Sequence, residues 1–302
     1  MKTKKEIIVD LDNILSPIWN KYHVHPGEQL PDKIYHYTDL TGFLGITKGK
    51  ELWASNASYL NDSKEIVHGL NLIKECILTY KNSHHDKDFK DLVGELTESI
   101  LSITGESKNY IVSFCEDGDL LSQWRGYTKS NVGIAIGFNT QNLRGMIAES
   151  GVIRKIHYNG EVQKQVISEV IPLILDYLYI YFKTRFKDFN YEHFVLYFLL
   201  IIKNYAITFK NESFAEEKEW RIIFDKENLL TSNLSVEHRI RDSIILPYLK
   251  IPLEEEISGL ITNLTISPTN QNSEFTIKSI KEYLTSKSIN NISIDESIVP
   301  YR

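Results

Sequence analysis

Glu217-Lys218-Glu219-Trp220-Arg221-Ile222-Ile223-Phe224 reads as a β-strand, since a pleated strand sends successive side chains to opposite faces. Glu217, Glu219 and Arg221 then point one way, and Trp220, Ile222 and Phe224 the other. Two carboxylates and a guanidinium would line one surface. Carboxylates held close together split their pKa values or polarise a hydroxyl, which suits general-base or transition-state-stabilising roles. The same pattern also fits a solvated strand face with a surface ion pair.

Outward from this strand, short strands are predicted at Ile34–Tyr37, Glu51–Ala54, Tyr110–Phe114, Val132–Phe138, Val152–Tyr158, Ile257–Ile266 and Ile292–Asp295. Helices are predicted around Ile7–Leu15, ending near Pro17, over Thr38 or Asp39 to the Gly49 region, from Leu60 onward, over Asp91–Ile103 and over Thr276–Leu284. Gln163 to about Phe209 reads as an unusually aromatic helical block. Short connections between strands and helices grouped in blocks argue for an α+β fold. The expected organisation is an N-terminal helical arm over residues 1–30 and a single α+β domain over 31–302, with a helical insertion at about 163–209.

The chain has 302 residues, 42% of them hydrophobic, enough for a large core. A net charge of -6 lacks the basic footprint of a general nucleic-acid binder. Cys76 and Cys115 are the only cysteines, too few for a disulfide framework, and they sit in no Cys/His cluster that suggests zinc. The apolar run Phe194–Ile202 falls short of the roughly 20 residues that cross a bilayer. No secretory signal is legible, and the expectation is a soluble cytoplasmic protein with no membrane partner. No Gly-rich phosphate loop appears. A homo-oligomer is compatible with the sequence.

Other residues carry chemistry in patterns with two readings. His36 lies between Tyr35 and Tyr37 and serves either structure or a ligand. Asp62 and Glu65 have the form of a helix cap, leaving Asn61 to bond a loop or ligand. Trp124 and Tyr127 offer a stacking platform for a planar ring, or core packing. Glu216-Glu217-Lys218 contains the Glu-x-Lys triplet that metal-dependent nucleases use with an upstream acid such as Asp62. The aromatic block from Tyr177 to Tyr205 would suit a partner-binding or sensor module.

Taken together, Tyr35-His36-Tyr37-Thr38, Leu60-Asn61-Asp62 to Glu65, Ser113-Phe114-Cys115-Glu116, Trp124-Arg125-Gly126-Tyr127, Glu217-Lys218-Glu219-Trp220-Arg221 and Pro300-Tyr301-Arg302 resemble the bacterial family named domain of unknown function 2971. That grouping carries no assigned reaction. The order of a histidine-bearing first strand, a Ser/Tyr middle and a late Glu-x-Glu strand is similar to the ADP-ribosyltransferase superfamily. There, NAD sits in a cleft between small antiparallel sheets. The resemblance implies an NAD-dependent ADP-ribosyltransferase or NAD glycohydrolase, of the kind found among bacterial toxins and defence effectors.

Its acceptor would be protein, nucleic acid or water. His36 would contact the nicotinamide ribose, Glu219 would stabilise the oxocarbenium-like transition state and Glu217 would orient the acceptor. Tyr37, Thr38, Asn61, Ser113, Trp124, Tyr127 and Arg221 would complete the NAD site. The middle motif departs from the superfamily, with only Ser113 or Tyr127 standing in for its usual serine run or tyrosine pair.

Overall fold

A computed structural model describes residues 3–23, 30–59, 63–102, 109–127, 132–185, 191–226, 233–241, 243–253, 257–269 and 273–300. In chain order its first elements are α1 (Lys4–His23), β1 (Lys33–Asp39), α2 (Leu40–Gly49), β2 (Glu51–Asn56), α3 (Ser63–Ser83), α4 (Lys87–Ser102), β3 (Asn109–Cys115) and α5 (Leu121–Tyr127). Then follow β4 (Gly133–Asn139), α6 (Thr140–Ile147), β5 (Val152–Lys155), α7 (Gly160–Arg185), α8 (Tyr191–Ala206) and β6 (Glu219–Asp225). The last are β7 (Val236–Arg241), β8 (Ile244–Pro252), β9 (Ile261–Ile266), α9 (Ser273–Ser286) and β10 (Ser293–Glu296). These fall into two compact units, each with its own core.

The first unit is helical and contains α1, α3, α4, α7 and α8. Helix α1 starts on a reciprocal cap: the Thr3 amide donates to the Glu6 carboxylate at 2.6 Å and the Glu6 amide to the Thr3 hydroxyl at 3.3 Å. Ile7, Leu11, Leu15 and Ile18 form its buried stripe. The helix runs on through Pro17 to His23 instead of ending there. Pro17 is exposed, while beyond it Ile18 is buried and Trp19 stacks on Tyr205, with ring centroids 4.0 Å apart. Packing on both sides of the proline outweighs the one amide it removes.

Asp86 caps α4 through the Phe89 amide and takes Lys183 at 3.0 Å and Tyr179 at 2.9 Å. Those two donors, Lys183 first, hold its carboxyl down at about 2. Gly69 in α3 faces α8 so closely that an added Cβ would lie 2.9 Å from Ala206 backbone atoms. The aromatic block expected over 163–209 supplies much of this core: Tyr179, Tyr181, Phe182, Phe194, Tyr197, Phe198 and Tyr205 are all buried in it. Residues Gly160–Thr184 are long and apolar enough to cross a membrane, and 56% of their most apolar window is buried inside the protein.

The second unit holds the ten described strands, with α2, α5, α6 and α9. The fold is thus α+β. The strands join one mixed sheet in the order β10-β9-β4-β1-β3-β2-β8-β7, with β6 also on β3 and β5 on β6. They do not form two separate small sheets, because β3 accepts three neighbours. The pair β9/β10 is parallel and the other ladders are antiparallel.

Ile34, Val112, Phe114, Ile134, Ile136, Phe138, Ile222, Phe224, Leu249 and Leu264 form the main apolar layer, against Phe43 of α2, Leu143 of α6 and Ile280 of α9. Asp39 begins α2 by accepting the Gly42 amide at 2.8 Å. On the other face a small cluster of Tyr37, Cys115, Trp124 and Ala135 surrounds the middle of the sheet. Trp124 has no exposed surface, and its indole N–H donates to Asp119 Oδ1 at 2.7 Å. Asp119 also accepts the Ser297 hydroxyl and the Ile298 amide, so one carboxylate ties α5 to the segment after β10. Trp124→Ala should therefore cost about 3–5 kcal/mol, as for other buried aromatic truncations, measured by chemical denaturation.

Candidate functional site

Strand β6 begins at Glu219, two residues later than the alternation alone suggests. The chain arrives through a 3-10 turn over Glu212–Glu217 and passes Lys218, whose φ is +43°. The Lys218 carbonyl accepts the Glu116 amide at 3.1 Å, which fixes this left-handed residue at the strand mouth. Glu217 therefore lies in the turn and does not share a strand face with Glu219.

Glu219 and Arg221 do share one. Residues two apart along a strand are separated by roughly 6.6 Å, so the guanidinium can fold back onto the carboxylate. Arg221 Nε donates to Glu219 Oε1 at 2.7 Å and Nη2 donates to Oε2 at 2.9 Å. Glu219 is 6% exposed and Arg221 2%. The charged pair is thus buried and bidentate, where the sequence also fitted a wet surface pair. Such geometry offsets the cost of removing two charges from water and holds the carboxylate in one orientation.

Register carries this face across the sheet. Cys115 lies opposite Glu219 and Ser113 opposite Arg221, while Arg154 of β5 flanks Arg221 from the other side. Tyr35 pairs with Cys115, so Tyr35 and Tyr37 stand on the Glu219 side. The Tyr37 hydroxyl donates to the Asp117 carbonyl at 2.8 Å and accepts the Leu120 amide at 2.9 Å; burial raises its pKa. Burial likewise pushes the Cys115 thiol up to about 12. Across the ladder, Glu116 takes the Trp220 indole N–H at 2.8 Å and Lys155 at 3.1 Å, pinning the opposite side of β6.

His36 is placed differently. It alternates with Tyr35 and Tyr37, and its ring lies 5.6 Å from Phe114 on the apolar side. His36 and Glu219 therefore project from opposite faces of the sheet, and Thr38 follows His36. Strand β6 occupies one edge of β3 along its whole length, so β1 and β2 share the other. β1 meets it at Cys115, and β2 at Ile111 and Tyr110. In the gap between them His36 Nδ1 lies 3.0 Å from the Ser113 carbonyl oxygen. A carbonyl only accepts, so the neutral ring carries its proton on Nδ1 and stands in for a missing ladder donor.

Of the other residues in the expected NAD site, Ser113 lies on the Glu219 face and its carbonyl is held by His36. Trp124 is core. Asn61, with Asp62, Tyr301, Arg302 and the side chains of Glu65 and Tyr127, lies outside the described residues. Glu216 and Lys218 of the Glu-x-Lys triplet are exposed, and Lys218 Nζ lies 4.0 Å from Asp117 Oδ2. Among the described residues no group of three His, Cys, Asp or Glu side chains is placed to hold a metal ion. The helix α5, on which Trp124 sits, was not foreseen; neither was the β7–β8 hairpin, although Val236–Arg241 alternates charged and apolar residues.

With this geometry in view, the comparison with known families falls on the same region. Residues 123–222 match the model of the family described as Protein of unknown function (DUF2971). The match supports the resemblance drawn from the sequence and runs from α5 into β6, so it takes in Trp124, Arg154, Glu219 and Arg221. No curated protein and no solved structure matches the chain.

Two titration consequences follow from burial. The His36 pKa is lowered, chiefly by desolvation, with the Ser113 bond opposing. The unfolded ring binds protons more readily, so this contribution to stability is full above about pH 6.5 and is lost as pH falls below it. His36→Asn should accordingly flatten the decline in denaturation midpoint between about pH 7.5 and 5.5; parallel pH profiles for the two proteins would contradict the assignment. Cys115, buried and held as thiol, should resist iodoacetamide at about pH 8 in the native protein and react on denaturation, as read by peptide mass spectrometry.

Proposed function

We propose that this protein is an NAD-using ADP-ribosyltransferase or NAD glycohydrolase with Glu219 as its catalytic carboxylate. The observation that carries the proposal is the state of Glu219: buried, fixed by two Arg221 hydrogen bonds and set directly after the left-handed Lys218. In this chemistry the bond between the nicotinamide nitrogen and ribose C1′ breaks with its electron pair going to the ring. Positive charge then develops on the ribose. An oriented carboxylate in a water-poor setting stabilises that charge more strongly than a solvated one.

In this reading Arg221 is a positioning residue, and the ligand lies on the sheet face shared by Tyr35, Ser113 and Arg154. Arg154 and Arg221, side by side in register, favour an anionic ligand such as a dinucleotide. His36 is assigned to joining β1 to β3 and has no part in ribose contact. The acceptor that attacks C1′ is water in the glycohydrolase version and a protein or nucleic-acid group in the transferase version.

The test is to incubate the full chain with NAD and follow nicotinamide release by chromatography. Wild type should release nicotinamide, and Glu219→Gln should do so on the order of 10²-fold more slowly, with circular dichroism showing that the variant is folded. Equal rates for the two proteins, or no release by folded wild type, would remove the proposal.

A further inference from the structure

Away from Glu219, the hairpin of β7 and β8 carries an arginine in unusual company. Register places Ser55 opposite Tyr248, Trp53 opposite Lys250, and Arg239 opposite Leu246, so Trp53, Ser55, Tyr248 and Arg239 share one face. The Arg239 guanidinium carbon lies 5.3 Å from the Trp53 ring centroid and 5.5 Å from that of Tyr248. Nη2 donates to the Ser55 hydroxyl at 2.8 Å. Nε is buried and, among the described residues, has no hydrogen-bond partner.

Arginines drawn out of water are ordinarily met by a carboxylate. Among the described residues, none pairs with Arg239. Two acids share this face but bond other groups: Glu51 accepts the Trp53 indole N–H at 2.7 Å, and Glu237 accepts the Ser235 hydroxyl at 3.3 Å. The other charges on this face are cationic, Lys250 across from Trp53 and Arg241 two residues along β7. The guanidinium pKa is lowered, by desolvation first and then by Arg241. An arriving anion would relieve both costs.

Trp53 is 38% exposed while Tyr248 is buried, so the platform keeps part of one indole open beside the cation. Backed by aromatic rings, a guanidinium presents its donors as a fixed fork that matches a phosphate. An open indole accepts a planar ring.

We propose that Arg239, Ser55, Trp53 and Tyr248 form a binding site for a nucleoside phosphate, with the phosphate on the guanidinium and the base against Trp53. The site is separate from the Glu219 carboxylate along the strands: Ser55 lies opposite Ile111 of β3 and Glu219 opposite Cys115, four residues or about 13 Å further along. It stands whether or not the protein acts on NAD.

Adenosine monophosphate is the probe, titrated into the full chain with calorimetry and tryptophan fluorescence as readouts. Saturable binding with quenching is expected, at least about tenfold tighter than adenosine or inorganic phosphate alone and weakening as salt rises. Arg239→Gln and Trp53→Leu should each lose about tenfold or more. Arg239→Lys, which keeps the charge and loses the fork, should fall between Arg239→Gln and wild type. If Arg239→Gln does not fold, Trp53→Leu and Arg239→Lys decide.

Unchanged affinity in the folded variants, or no saturable binding by wild type, overturns the site. A protein that binds the nucleotide and leaves NAD intact keeps this inference and loses the reaction proposed above.

Discussion

Strand β3 is the constraint on which the sheet depends. Seven consecutive residue pairs lock it to β6, while its other edge is divided between β1 and β2. Because side chains alternate strictly along a strand, that one register decides which residues from distant parts of the chain share a face. It sends Val112, Phe114, Ile222 and Phe224 into the apolar layer and gathers Ser113, Cys115, Glu219 and Arg221 on the reverse. A slip of one residue would set the ion pair among aliphatic side chains and turn Phe224 onto the polar face.

The reverse face is polar yet largely dry, which is costly unless its groups find partners. Glu219 and Arg221 satisfy each other, Tyr37 both gives and takes a backbone hydrogen bond, and Asp119 collects an indole, a hydroxyl and an amide. Polar groups held in this way lose the freedom to reorganise, so the chemistry available on this face is set in advance by the fold. Arg239 departs from the pattern: it is desolvated, backed by aromatics and, among the described residues, joined to one hydroxyl.

Much of the fold was legible locally. The alternation around Trp220, Ile222 and Phe224 gave β6, and Asp39 gave the start of α2. What local pattern could not supply was the relation between strands. Each of His36 and Glu219 belongs to a strand readable from the sequence, yet whether they face one cleft depends on the β1–β3–β6 register, between segments far apart in the chain. Pro17 predicted a helix end because the packing of Trp19 on Tyr205 is a tertiary fact. Pro247 and Pro252 disguised β8, as prolines are tolerated best near sheet margins, and this hairpin forms one end of the sheet. Glu217 looked like part of the strand because only the left-handed turn at Lys218, itself non-glycine, takes it out.

The Asp119 clamp has a further consequence, for the order of assembly. Its carboxylate meets Ser297 across 178 residues of chain, and β10 adds to the sheet only by pairing in parallel with β9. The strand-bearing unit is itself drawn from three stretches, residues 30–56, 108–155 and 216–302. Contacts of such long range delay the reward for closing each loop and slow folding. During synthesis Asp119 must wait, partly unsatisfied, for the ribosome to deliver Ser297 and Ile298, made more than half a chain later.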